Sequence, residues 1–153
     1  RGMSFIDMAH LKKKDLQNDF LSYRRRKTGQ QLVIRWEKCM QEIVGKYPED
    51  GLSPYLLPVL KYPFKDTHKH YRNVMSGINR NLKEIARLAD ISFPLSMYCA
   101  RHSWASAAKG KNIPISVISE GMGHDSEATT QIYLASLDNS VVDKANAQIL
   151  KGL

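Results

Sequence analysis

Leu95-Ser96-Met97-Tyr98-Cys99-Ala100-Arg101-His102-Ser103-Trp104-Ala105, then Gly121-Met122-Gly123-His124, then Thr129-Thr130-Gln131-Ile132-Tyr133, are three short blocks close together in the second half of the chain. His124 follows Arg101 by 23 positions and precedes Tyr133 by nine. Phe93-Pro94-Leu95-Ser96 opens a helix expected to run from about Ser96 to Ala108, ended by Gly110. A short helix over Pro114–Met122 ends at Gly123, and another is expected over Glu127–Leu134. Taken singly, Arg101 is an ion-paired helix arginine, His124 completes the helix end after Gly123, and Tyr133 is a packed aromatic. Their joint spacing is what asks for a common explanation.

Outward from these blocks, apolar periodicity predicts a mainly helical chain with one small antiparallel sheet near its start. Phe5, Met8 and Ala9 suit a short helix. Asp15-Leu16, Phe20–Arg24 and Gln31–Arg35 read as strands, the last two joined by the turn Lys27-Thr28-Gly29-Gln30. Trp36, Cys39, Met40, Ile43 and Val44 suit an amphipathic helix to about Lys46. Five prolines and glycines between 47 and 66 predict a loop, and Asp66-Thr67 caps a long helix over 68–89 with Val74, Ile78, Leu82, Ile85 and Leu88 on one face. A last helix is expected over Asn139–Leu150. Trp36 and Trp104 read as core, and Cys39 and Cys99 as buried thiols rather than a disulfide or a zinc site.

The chain has 153 residues, 23 Lys plus Arg and 15 Asp plus Glu, a net charge of +8. Its 42 % hydrophobic content is enough for one core and too high for a disordered basic tail. No apolar run approaches the roughly 18–20 residues that span a membrane, and no secretory signal is expected from Arg1-Gly2-Met3-Ser4. Residues 1–46 carry a net +6 and residues 61–111 a net +7, whereas 112–153 carry −3. A polyanion is the simplest partner for charge gathered this way. His68 and His70 stand at i, i+2, which puts them on different helix faces, so no metal site is expected.

The "ARHSWA", "GMGH" and "TTQIY" blocks resemble the carboxy-terminal signature of the tyrosine recombinases, the phage-integrase family. The signature runs from an arginine followed by histidine, through a Gly-His pair, to a tyrosine nine residues on that is preceded by two threonines. "SFIDMAHL", "RRRKTGQ" and "TTQIYLASLD" look most like integrases of Bacteroides-type conjugative transposons. The resemblance covers almost the whole chain. It implies a single catalytic domain over 1–153, with the fold of that family and the small sheet at its start. It also implies a fragment of a longer integrase whose core-binding domain lies elsewhere.

The chemistry implied needs those residue types. Tyr133 is the expected nucleophile, Arg101 can donate two parallel hydrogen bonds to phosphate oxygens, His124 can accept a proton or hold the phosphate, and Lys27 on the hairpin can protonate the leaving 5′ oxygen. The phosphate-ester energy stays in a covalent 3′-phosphotyrosyl bond, so no ATP, metal or other cofactor is expected. Arg24, Arg25, Arg26, Lys69 and Arg72 are expected DNA contacts. The implied partners are double-stranded DNA and, in the full-length protein, a homotetramer on two duplexes. The isolated domain is expected to be monomeric, and the setting bacterial, cytoplasmic and nucleoid-associated.

Two positions depart from the family pattern. Ser4 stands where "G-L-R-x-x-E-L" carries an arginine, and Tyr98 stands where a histidine is usual. Either hydroxyl can bond a phosphate, but neither brings a charge. Arg1, or one of Arg24–Arg26, could supply the missing cation, and the sequence does not choose between them. A catalytically inactive DNA-binding domain of the same fold is the alternative reading. A basic protein-interaction module accounts for the charge but not for the Arg101–His124–Tyr133 spacing.

Overall fold

The computed structural model describes residues 2–48, 51–61, 63 and 67–134. Arg1, Asp66 and the helix expected over Asn139–Leu150 lie outside the described residues. The elements are α1 (Phe5–Ala9), a 3₁₀ turn (Lys13–Asp15), β1 (Leu16–Gln17), β2 (Phe20–Arg24), β3 (Gln31–Arg35), α2 (Lys38–Val44), α3 (Thr67–Leu88), α4 (Met97–Gly110), α5 (Ile115–Met122) and α6 (Glu127–Leu134). The α+β reading, mainly helical with a small antiparallel sheet, holds. Asp15 belongs to the 3₁₀ turn rather than to the first strand.

The sheet order is β1-β2-β3, antiparallel throughout. Asn18 (φ 49°) and Asp19 (φ 61°) turn β1 into β2; both are left-handed, as a two-residue hairpin matched to strand twist requires. Leu21 faces Ile34 and Tyr23 faces Leu32. These four, with Leu11, form the buried side of the sheet, and Met3, Trp36, Met40 and Leu56 pack on it. Side chains alternate with period two along a strand, so Arg25, one step past β2, continues the inward parity of Leu21 and Tyr23. Arg25 is 6 % exposed, between the exposed Arg24 and Arg26. Burial thus sets Arg25 apart from its two neighbours in the run of three arginines.

A second cluster joins Phe5 and Ala9 of α1 to Leu60 and Tyr71. A third joins Ala105 of α4 to Ile118 and Met122 of α5 and Leu134 of α6, with Trp104 and Tyr133 against it. Asn79 Oδ1 of α3 accepts from the Met97 backbone N–H at 2.9 Å, which ties the start of α4 to α3. One packing expectation is corrected. Cys39 is exposed and Cys99 is only half-buried. α2 contains no buried residue; Met40 alone of it packs on the sheet core, and Ile43 is exposed. The apolar face of α3 is covered at Val74 and Ile78 but open at Ile85 and at Leu88, which is 70 % exposed. No helix among the described residues is long and apolar enough to cross a membrane.

Candidate active site

The site begins at the end of α5. Gly123 has φ 66° and ψ 44°. Its N–H reaches the Glu120 carbonyl at 2.9 Å, and the His124 N–H reaches back to the Ser119 carbonyl at 3.1 Å. This paired closure is the Schellman ending that a glycine permits. It leaves the Met122 and Gly123 carbonyls, at the negative end of the helix, facing outward from α5. Each holds an arginine. Arg101 Nη2 donates to the Met122 carbonyl at 2.7 Å, and Arg25 Nη1 donates to the Gly123 carbonyl. Arg101 Nη1 also donates to the Gly2 carbonyl. His124 therefore completes a helix end with its backbone and serves the site with its ring; the two readings of it are compatible.

A Cβ on Gly123 would lie 3.0 Å from both Arg25 Cδ and Leu32 Cδ1. Gly123→Ala is accordingly expected to cost about 1–2 kcal/mol from the left-handed backbone alone, a fall in Tm of roughly 2–8 °C. A thermal melt checks this; an unchanged Tm contradicts it.

The two guanidiniums share a poorly neutralised interior. Arg101 is 4 % exposed. Burial first, and then the charge of Arg25, hold its pKa below the ordinary arginine value. The nearest counter-charge is the buried Asp7, whose Oδ2 lies 3.9 Å from Arg25 Nε, too far for a hydrogen bond. Asp7 Oδ1 accepts from the Arg26 N–H at 2.9 Å, and Ser4 Oγ donates to Asp7 Oδ2 at 2.5 Å. Ser4 is the N-cap of α1 and uses its hydroxyl on Asp7, so it joins the site through that carboxylate rather than directly.

His124 Nε2 lies 3.1 Å from Arg101 Nη2, and its Nδ1 lies 2.7 Å from Thr130 Oγ1. Burial, then the positive charges of Arg101, Arg25 and Lys27, press the imidazole down to about 4, with Asp125 opposing them. The ring is neutral at physiological pH. An arriving anion offsets those charges and makes it more basic. Lys27 sits exposed in the β2–β3 turn, near enough for its charge to act on His124.

Tyr133 is packed among aromatics. Its ring stacks on His102, with centroids 4.0 Å apart and planes 5° apart. Tyr98 and His124 meet it edge-on at 5.9 and 5.8 Å. Its hydroxyl is buried and has no hydrogen-bond partner among the described residues. Burial first, and the neighbouring Tyr98 phenol next, push its pKa well above the ordinary tyrosine value, while Arg101 opposes them. Tyr98 itself is 56 % exposed.

The structure thus brings together Arg101, His124, Tyr133, Tyr98 and Arg25, with Lys27 at the rim. Lys69 and Arg72 are not part of this group. They lie on the first turns of α3 beside a surface recess with His68, Asn73 and Ser76. His70 Nε2 accepts from the Lys61 N–H at 3.2 Å, and no cluster of metal-ligating side chains occurs among the described residues. Asp7 and Thr130 were missed as contributors to the site. The signal for Asp7 is the Ser-x-x-Asp spacing of a helix start; for Thr130 it is the position one helical turn before Tyr133.

Comparisons with known proteins bear on the family and the fold. The sequence profile of the phage integrase family matches residues 3–140. A tyrosine recombinase of Thermosipho africanus is 31 % identical over 113 residues, 65 % of this chain and 39 % of that protein. The crystal structure of the XerA recombinase superposes with a TM-score of 0.70 at 23 % identity, covering 96 % of this chain and 53 % of that one. The XerH site-specific recombinase, bound to its palindromic difH substrate after cleavage, gives 0.64 at 18 % identity, over 94 % of this chain and 41 % of that one. The chain therefore spans only part of the length of these relatives. With its profile matched over most of the chain and its fold shared with these recombinases, the chain belongs to the phage integrase family of tyrosine recombinases.

Proposed function

We propose that this chain is the catalytic domain of a site-specific DNA recombinase that cuts and rejoins DNA through a 3′-phosphotyrosyl intermediate. The observation that carries the reading is the pair of buried guanidiniums, Arg25 and Arg101, held on consecutive carbonyls beside His124 and the unpartnered hydroxyl of Tyr133. Two buried positive charges, with Asp7 paired to Arg25 at 3.9 Å as their one carboxylate neighbour among the described residues, leave an excess of positive charge that calls for an anion. A phosphodiester supplies it.

Each residue then has a role. Arg101 keeps two of its five N–H donors on the Gly2 and Met122 carbonyls, and the one now on His124 joins the two unused ones in turning to phosphate oxygens. Arg25 takes the place of the arginine that Ser4 lacks, and it comes from the hairpin rather than from α1. Tyr133 Oη attacks phosphorus, its proton passes to His124 Nε2, and the Oη–P bond forms as the P–O5′ bond breaks. Lys27 protonates the departing 5′ oxygen. Attack by a 5′ hydroxyl of the partner duplex reverses each transfer and joins the strands.

The Ser4 and Arg25 arrangement, with the hairpin "RRRKTGQ", suits an integrase of the conjugative-transposon type. Arg24, Arg26, Lys69 and Arg72 would contact the DNA backbone. In the full-length protein four protomers would act on two duplexes, in the bacterial nucleoid. The test is a nicked suicide DNA carrying the crossover site, incubated with the full-length protein in metal-free buffer. An SDS-resistant protein–DNA band is expected. Binding to that DNA with no such band contradicts the reading and favours a DNA-binding domain without activity.

A further inference from the structure

We propose that Thr130 is a positioning residue for strand cleavage: its buried hydroxyl accepts the Nδ1 proton of His124 and so keeps the Nε2 lone pair free for the reacting groups. This inference rests on the reading of His124 as a proton acceptor.

The argument is one of donors and acceptors. An arginine guanidinium can only donate. Arg101 Nη2 stands 3.1 Å from His124 Nε2, so Nε2 must be the unprotonated nitrogen. A neutral imidazole then carries its proton on Nδ1, where Thr130 Oγ1 waits at 2.7 Å. The opposite tautomer would set an Nε2–H against an N–H of the buried Arg101. Thr130 is fully buried, so no solvent molecule substitutes for its oxygen without rearrangement. When DNA binds and Arg101 turns toward the phosphate, the Thr130 contact is what continues to fix the ring. The Tyr133 proton then moves to Nε2, giving an imidazolium with Nδ1–H still on Thr130 Oγ1.

The placement on α6 adds a second consequence. Thr130 and Tyr133 are three residues apart on one helix, so they share a face. A single rigid element carries both the nucleophile and the group that orients its base. A shift of α6 that misplaces Tyr133 also releases His124, and neither is poised without the other.

The ring nitrogens report directly. In the DNA-free chain labelled with ¹⁵N-histidine, His124 should show a protonated Nδ1 and an unprotonated Nε2. Thr130→Val keeps the shape and removes the hydroxyl; it should mix or invert the tautomer and slow suicide-substrate cleavage about tenfold or more. Thr130→Ser should restore both. A protonated Nε2 in the unaltered chain overturns the inference, and that measurement needs no variant to fold. So does a Thr130→Val chain with unchanged tautomer and rate. His124→Ala separates the two levels. If it cleaves normally, the reading of His124 falls; if it is inactive while Thr130→Val behaves as the parent, only the role of Thr130 falls.

Discussion

Tyr133→Phe should bind DNA like the parent protein, form no covalent adduct and lose no stability. The structure makes this a clean substitution. The Tyr133 hydroxyl is buried with no hydrogen-bond partner among the described residues, while the ring stacks on His102 and packs against the third core cluster. Phenylalanine keeps the stack and the packing and removes only an unsatisfied polar atom. Stability should therefore stay the same or rise slightly, since leaving such a group buried costs about 1–3 kcal/mol. The loss of cleavage should be complete, because the reading assigns the attack to Tyr133 Oη alone. A melting curve and a suicide-substrate assay on the same preparation check both halves. A Tyr133→Phe protein that still forms adduct would mean that another residue attacks.

Arg25→Ala should lower the cleavage rate by about 10²–10³, the usual cost of removing one donor from a site that stabilises developing charge. Arg24→Ala and Arg26→Ala, on the exposed parity, should act on binding alone, each making the log–log salt slope shallower by about 0.9 for every phosphate left without its arginine. Arg25 also faces Asp7, so its removal leaves a buried carboxylate with only Ser4 Oγ and the Arg26 N–H as partners. Arg25→Ala combined with Asp7→Asn removes that orphaned charge and isolates the catalytic loss from the folding loss. Arg25→Lys keeps a charge but cannot hold the Gly123 carbonyl and a phosphate together in one planar fork, so it should remain slow. Parental cleavage by Arg25→Lys would show that Arg25 serves the fold rather than the phosphate. Partial recovery on adding Ser4→Arg to Arg25→Ala would show that the two positions reach one phosphate.

Much of this molecule can be read from its residues because local signals agree with the fold. α6 spans Glu127–Leu134 as expected, and the β2–β3 hairpin falls at Phe20–Arg24 and Gln31–Arg35. The spacing of Arg101, His124 and Tyr133 translates into one cluster because α4, α5 and α6 pack on one another around Ile118 and Met122. The sequence left the missing cation open because three successive arginines look alike as composition. The strand parity that buries Leu21 and Tyr23 also singles out Arg25, and that signal lay in the pattern unused. Cys39 shows the reverse error: an apolar helical spacing does not bury a residue unless another element covers it. The His124–Thr130 bond spans only six residues, and its signal is the place of Thr130 one helical turn before Tyr133.

The most direct test is to digest the trapped protein–DNA adduct and find, by mass spectrometry, which peptide carries the nucleotide. The account predicts a single modified peptide with the 3′-phosphate on Tyr133. A nucleotide on any other side chain, or a DNA-bound protein that yields no modified peptide, would contradict it.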